Sequence, residues 1–401
     1  MKGNRYDWLL LVMVALLIFG NVGNGAQPIR LMILAVAPVM MVDAVRRPHA
    51  SLRYYAFECF FLAAWWLWAA AFYFMAEDPS ESLKHLVYLA IHILGLLEVL
   101  WAASKATNPQ HYLKYGWLLM LACSIPIALS EFLTDTHLAT SLWDSGASVE
   151  IGGVKVMRPF AAVTFGNLNT YNTVLCMAFP SLFFCNLFPK NKPDKVLGLL
   201  LMLCVVLIVV ANSSRAAIMC MAVMMMAFVY CYYKTGRNRV LLITVITLVI
   251  IALVYFLFDV FFLIVARFAD QGVADDGRME NIVKGLSALM SRGGLGIGIG
   301  NYEPVMNNEY RVLYAAPHNF FLEIAVVYGI PVFCGFVWMM VRAFRRGLQG
   351  TTFNRDMLLL CSFACVFACI IDSQYVMKAH TWMFLATMLV YTDRRYNREE
   401  I

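Results

Sequence analysis

The sequence predicts an all-α integral membrane protein with about twelve spanning helices, and three observations carry that expectation. The first is composition: 401 residues, 62% hydrophobic and 14% charged, against roughly 45–50% and about 25% in an ordinary soluble domain. The second is a series of apolar runs, each near the ~20 residues a helix needs to cross hydrocarbon. The third is the placement of lysine and arginine in every second connection. Together they exclude soluble enzyme folds, nucleic-acid partners and secreted disulfide scaffolds. The net charge of +6 says less than where the charges sit.

In chain order the spans are read at 8–20, 28–44, 55–75, 82–102, 115–133, 168–188, 196–212, 215–233, 240–265, 319–341, 357–372 and 380–392. They make one polytopic unit over 1–401. The first is short and follows Lys2 and Arg5 without a clean small-x-small cleavage site, so it is expected to stay as an uncleaved anchor. Twelve spans place both termini on one side. The termini and connections on that side hold 20 of the 31 Lys and Arg residues, from Lys2 and Arg5 through Arg46, Arg47 and Arg53 to Arg394, Arg395 and Arg398. By the positive-inside rule this side and both termini face the cytoplasm.

Two long loops, 134–167 and 266–318, then lie outside. Within the second, Met279, Ile282, Val283, Leu286, Leu289 and Met290 recur at helical spacing. Arg278, Glu280, Asn281, Lys284 and Ser287 take the other face, with Asp275 and Asp276 as caps at its start and Gly293-Gly294 at its end. The pattern fits an amphipathic helix lying on the outer membrane surface or packed on the protein's own outer face. All 11 cysteines fall in or beside apolar spans, which argues against a disulfide framework. Cys361, Cys365 and Cys369 are read as small-residue helix packing rather than a metal site.

In a membrane chain, ionisable residues away from the cytoplasmic edge carry the information. At Ser213-Ser214-Arg215 one span turns directly into the next, so a serine can cap an outward-facing helix start beside an arginine, which makes an anion site. Gly277-Arg278 opens the amphipathic helix and precedes GGLGIGIGNY at 293–302, whose glycines permit tight turns and close approach to a ligand. In Pro317-His318-Asn319, Pro317 suits the first helical position, which would place His318 on the first turn of span ten. A positive helix end there keeps the imidazole neutral and able to accept a proton. Asp372 can orient His318, balance an arginine or cap its turn. Asn167 and Asn169 head span six. No carboxylate cluster shows divalent-metal spacing, so neither metal nor cofactor is expected.

Taken together these segments resemble the bacterial O-antigen ligase and O-antigen polymerase superfamily. The resemblance rests on Arg215 in a Ser-Arg turn, Arg278 in the late loop, Gly296-Ile-Gly298-Ile-Gly300-Asn301-Tyr302, and His318-Asn319 followed after nine residues by Gly329. Val332 departs from the last position of that pattern, and NLNTYN carries Leu168 where the family has proline. The motif-bearing part spans about residues 160–380.

The resemblance implies a GT-C-type, metal-independent, inverting glycosyltransferase of the bacterial inner membrane. Its donor would be an undecaprenyl-diphosphate-linked glycan, used at the periplasmic face. A ligase would pass the glycan to lipid A-core; the alternative, a polymerase, would pass it to another lipid-linked repeat. Arg215 and Arg278 would hold the diphosphate, His318 would be the base, and Ser214, Asn319, Asp372 and Asn169 would support them. A polysaccharide-lipid flippase or transporter also has twelve spans, with Glu58, His92 and Glu98 as its in-span ionisable residues, but these form no evident paired network.

Overall fold

The structure, a computed structural model, describes residues 3–46, 53–138, 148–151, 154–157, 159–234, 278–312 and 315–396. Its helices in chain order are α1 (Arg5–Ala15), α2 (Pro28–Arg46), α3 (Ala56–Ala71), α4 (Pro79–Lys105), α5 (Pro109–Thr134), α6 (Leu168–Leu187) and α7 (Lys192–Ala211). They continue with α8 (Arg215–Lys234), α9 (Arg278–Ser291), α10 (Tyr302–Asn308), α11 (Phe320–Leu348), α12 (Thr352–Ala368) and α13 (Ala379–Tyr391). Helix thus occupies eleven of the twelve expected stretches. The ninth, 240–265, lies outside the described residues, as do Asp275 and Asp276. Among the described residues seven helices are long and apolar enough to cross a membrane: α2, α3, α4, α5, α7, α8 and α11. The 134–167 loop holds a small antiparallel hairpin, Ser148–Ile151 with Val154–Met157.

Asparagine, aspartate and proline punctuate the helix starts as capping chemistry requires. Asn4 and Asp7 form a capping box on α1, Asp78 and Pro79 open α4, and Asn191 caps α7. The central post is α6, whose every residue except Asn169 is buried. A helix apolar all round belongs inside, and two of the polar exceptions on α6 bond across to neighbouring helices. Asn172 accepts from the Asn212 amide at 2.9 Å, and Ser181 meets the Tyr391 hydroxyl at 2.9 Å. Around this post pack α5, α7, α8, α12 and α13, while α1 and α2 flank α5 and α4.

The break inside α11 is the fold's least helical feature. Gly329 has φ 86 and ψ 170, and Pro331 follows it. In an unbroken helix the Val327 carbonyl would need an N–H from residue 331, which proline lacks. The glycine string supplies it instead. Gly298 N–H donates to Val327 O at 3.0 Å, Ile297 N–H to Val326 O at 2.9 Å, and Ile330 N–H to Gly294 O at 2.8 Å. A Cβ on Gly296 would sit 2.6 Å from the backbone of Val327 and Gly329, and one on Gly329 would strike Leu295. The string does approach a backbone closely, as its glycines predict. The backbone is the protein's own.

Asn301 completes this clasp, donating to Met75 O and Ile297 O, both at 2.8 Å, and accepting from Glu77 N–H at 3.0 Å. Beside it α9 packs on α11 through Gly285, near Val326 and Leu322. Asn281, placed by the periodicity on the polar face, is buried, whereas Met279, Val283, Leu286 and Met290 form an exposed apolar stripe. One side of α9 therefore meets protein, and the apolar stripe lies exposed on the other.

Candidate functional site

One end of the bundle opens into a cavity of about 610 Å³. A second lobe of about 320 Å³ adjoins it through shared lining at Glu81, His85, Gln374 and Met377. Because alternate helices run in opposite directions, this end collects helix starts: those of α2, α4, α6 and α13 all contribute lining residues. The Asn167 side chain caps α6, accepting from Thr170 N–H at 2.8 Å, and Asp78 caps α4, accepting from Glu81 N–H at 3.1 Å. Converging helix N-termini give the cavity a positive field from backbone dipoles alone.

Side chains add to that field. Arg30, Lys84 and Lys378 line the larger lobe. Arg30 is 5% exposed, lies over the Tyr88 ring at 3.7 Å and donates to Met377 O at 2.9 Å. Its Nε also meets His92 Nε2 at 3.3 Å, while His92 Nδ1 faces Val376 O at 3.1 Å. That pattern fits a neutral ring whose Nδ1–H donates. Among the described residues Arg30 meets no carboxylate. Lys84 pairs with Glu81 at 2.8 Å, and the same carboxylate reaches His85 at 3.2 Å.

The turn between α12 and α13 is held from below. The buried Glu323 carboxylate accepts from Tyr375 N–H at 2.7 Å and Val376 N–H at 3.3 Å. Asp372, also buried, pairs with Lys378, which in turn donates to Thr170 at 3.2 Å. Burial acts to raise the Asp372 pKa, but the Lys378 ammonium and the Thr170 hydroxyl outweigh it and hold the carboxyl below its ordinary value. Lys378 is thus a fixed cation at the cavity wall. An open cavity with a buried guanidinium that meets no carboxylate among the described residues, a fixed ammonium and four helix starts is chemically suited to a polyanionic group.

The residues singled out by sequence fall at this same end. Arg215 is the first residue of α8, and Ser214 Oγ lies 3.4 Å from Asn169 Oδ1. Two of the expected supporting residues therefore meet. Ser213 does not reach forward onto α8; its hydroxyl turns back to the Val210 and Ala211 carbonyls at 3.3 Å. Arg278 opens α9, and its side chain lies outside the described part.

One local expectation is corrected. Pro317 is not the first helical residue and His318 is not on the first turn, because α11 begins at Phe320 with Asn319 as its cap. The Asn319 side chain accepts from Phe321 N–H at 2.9 Å and Leu322 N–H at 3.1 Å, a stronger start signal than proline at N1. His318 is half-buried immediately outside that cap; Pro317, but not His318, lines the smaller lobe. Asp372 ties to Lys378, not to His318.

Sequence reasoning passed over Arg30, Lys84, His85 and Lys378. Each is an ionisable residue away from the basic connections, so the rule that selected Arg215 would also have selected them. Their dispersal over three helices hid the cluster.

Residues 199–337 match the family model described as O-Antigen ligase. No curated protein matches the chain. The matched segment holds Arg215, Arg278, the glycine string, His318, Asn319 and Gly329, whereas Arg30, Lys84, Asn169, Asp372 and Lys378 lie beyond it. The match points to ligase- or polymerase-type activity on a lipid-linked glycan. Over residues 199–337 the chain is similar to the O-antigen ligase family, and this match supports the O-antigen ligase and polymerase superfamily as the one to which its motifs point.

Proposed function

We propose that the protein is an inverting, metal-independent glycosyltransferase of the GT-C type. It transfers a glycan from undecaprenyl diphosphate to an acceptor sugar hydroxyl at the periplasmic face of the bacterial inner membrane. The observation that carries this reading is Arg30: a buried guanidinium without a carboxylate partner among the described residues, lining a cavity at converging helix starts. Such a charge is stable where a ligand completes it, and a lipid diphosphate is the anion that the proposed donor would present.

In the reaction the acceptor oxygen attacks the anomeric carbon from the face opposite the diphosphate. The C–O bond to the diphosphate breaks, and the electron pair leaves on its oxygen. Arg30 and Lys378, with Arg215 and Arg278 from the family motifs, stabilise that developing charge. The acceptor's proton passes to a neutral imidazole, for which His318 is the motif's candidate. Ser214 and Asn169 steady the start of α8 beside Arg215. Asn319 fixes where α11 begins, and Asp372 fixes Lys378. With the acceptor lipid A-core, the protein acts as a ligase. With a second lipid-linked repeat it acts as a polymerase.

The test is a purified-protein assay that offers one undecaprenyl-diphosphate glycan and each acceptor in turn. Transfer to lipid A-core is the expected result; transfer only to a lipid-linked repeat makes it a polymerase. Failure of both, with donor binding absent, removes the proposal. His318→Ala should lower turnover by roughly 10²–10⁴-fold while donor binding persists. Near-normal turnover rejects the base role.

A further inference from the structure

At the opposite end of the bundle lies a separate cavity of about 300 Å³. Its walls come from the start of α1 (Trp8, Leu11), the start of α5 (Asn108, His111, Tyr112, Tyr115) and Lys190 between α6 and α7. We propose that it is a binding site for an anionic glycerophospholipid, with the phosphate held by Lys190 and Asn108 and the chain laid along Leu11 and Trp8. It takes no part in the proposed transfer.

The frame of the site is preformed. Buried Asp7 accepts N–H bonds from Asn4 and Asn108 at 2.8 Å and from Thr107 at 3.2 Å, which fixes α1 against the chain entering α5. Trp8 and Tyr112 pack edge to face with centroids 5.4 Å apart. Trp8 is 55% exposed on the outer side of the bundle. An amphipathic ring at a helix end is the usual occupant of the membrane headgroup layer.

Two buried polar groups here lack partners among the described residues. Asn108 stands where a capping residue should, directly before α5, yet its side chain makes no capping bond. Its Nδ2 is without a partner, and so is Nδ1 of His111, one turn further on. Leaving such groups unmade costs free energy that a bound acceptor oxygen recovers. Both nitrogens are shielded from solvent, so a ligand engages them by rotation about the soft terminal torsion of each side chain.

Lys190 is exposed and forms no ion pair among the described residues. The nearby carboxylate of Asp194 is committed elsewhere, to Lys114 at 2.7 Å and to the Lys190 backbone N–H at 3.2 Å. A free ammonium, an amide donor, two phenols and an apolar wall at headgroup depth match a phosphate ester with an acyl tail better than a soluble anion.

The test is thermal unfolding of the full-length protein in detergent. It is titrated separately with short-chain phosphatidylglycerol, short-chain phosphatidylcholine and inorganic phosphate. Phosphatidylglycerol should give a saturable stabilisation larger than that of phosphatidylcholine, and inorganic phosphate should give none. The double variant Asn108→Ala/Lys190→Gln should weaken the apparent Kd for phosphatidylglycerol by roughly tenfold. Asn108 caps nothing and Lys190 is exposed, so this variant should unfold like the parent without lipid; if it does not, Lys190→Gln alone carries the comparison. Equal response to the two lipids, or an unchanged Kd in the variant, overturns the proposal. Stabilisation by inorganic phosphate equal to that by lipid overturns the lipid assignment.

Discussion

The two ends of the bundle differ in how a buried cation is met. At the end bearing the basic connections, several cations that pack between helices are matched to acids. Lys114 meets Asp194, Arg346 meets Glu58 at 2.9 Å, Lys105 meets Asp43, and Arg395 and Tyr55 share Asp393 at 2.6 Å. At the cavity end Arg30 is buried beside an open space and bonds to a carbonyl, an imidazole and a ring. The contrast separates structural from functional charge. A pair closed on itself holds helices together, whereas an unclosed one waits for a ligand.

Five substitutions probe that division, from the largest expected effect to the smallest. Asp194→Ala strands the fully buried Lys114 and should cost about 3–5 kcal/mol of stability, read as a lowered unfolding midpoint. Activity per folded molecule should be unchanged; a selective loss of turnover without loss of stability breaks the comparison. Gly329→Ala places a Cβ where φ is +86 and Leu295 leaves no room, and should cost about 3 kcal/mol or more. Its stability loss should appear as protease sensitivity in 278–318 before the rest of the chain.

Arg30→Met and Lys378→Met address the cavity end directly. Each removes a charge-assisted contact of ~1.5–3 kcal/mol, roughly ten- to a hundred-fold in use of the diphosphate donor. Arg30→Lys should rescue only part, since an ammonium lacks the planar fork. Unchanged donor affinity in Arg30→Met would remove the cavity from the proposed mechanism. Last, Asn319→Ala loses the α11 cap and should cost ~1 kcal/mol, with Asn319→Asp or Asn319→Ser restoring most of it in a melting experiment.

The helices were legible because apolar runs and capping residues are local signals. The cavity was legible only in fragments. Arg215 stood out since Ser-Ser-Arg interrupts two spans, whereas Arg30, Lys84 and Lys378 sit at three unrelated helix starts. Only the packing of α2 and α13 on α4 brings them to one space. The His318 position was misread by three residues because proline and asparagine both signal a helix start, and nothing local ranks them. The structure ranks them through two N–H bonds to Asn319. GIGIGN resembled a ligand loop because a glycine that admits a foreign backbone looks the same in sequence as one that admits the chain's own.

The clasp between the glycine string and the break in α11 bears on the order of biosynthesis. Residues 294–298 leave the ribosome before the carbonyls of Val326 and Val327 that they will engage. Until α11 has entered the membrane and bent at Gly329, nothing closes this clasp. Once it closes, three backbone bonds fasten the end of the 266–318 loop at the height of the helix break. The loop's far end is therefore secured by the last third of the chain, so a truncation before residue 330 should leave it as tether rather than structure.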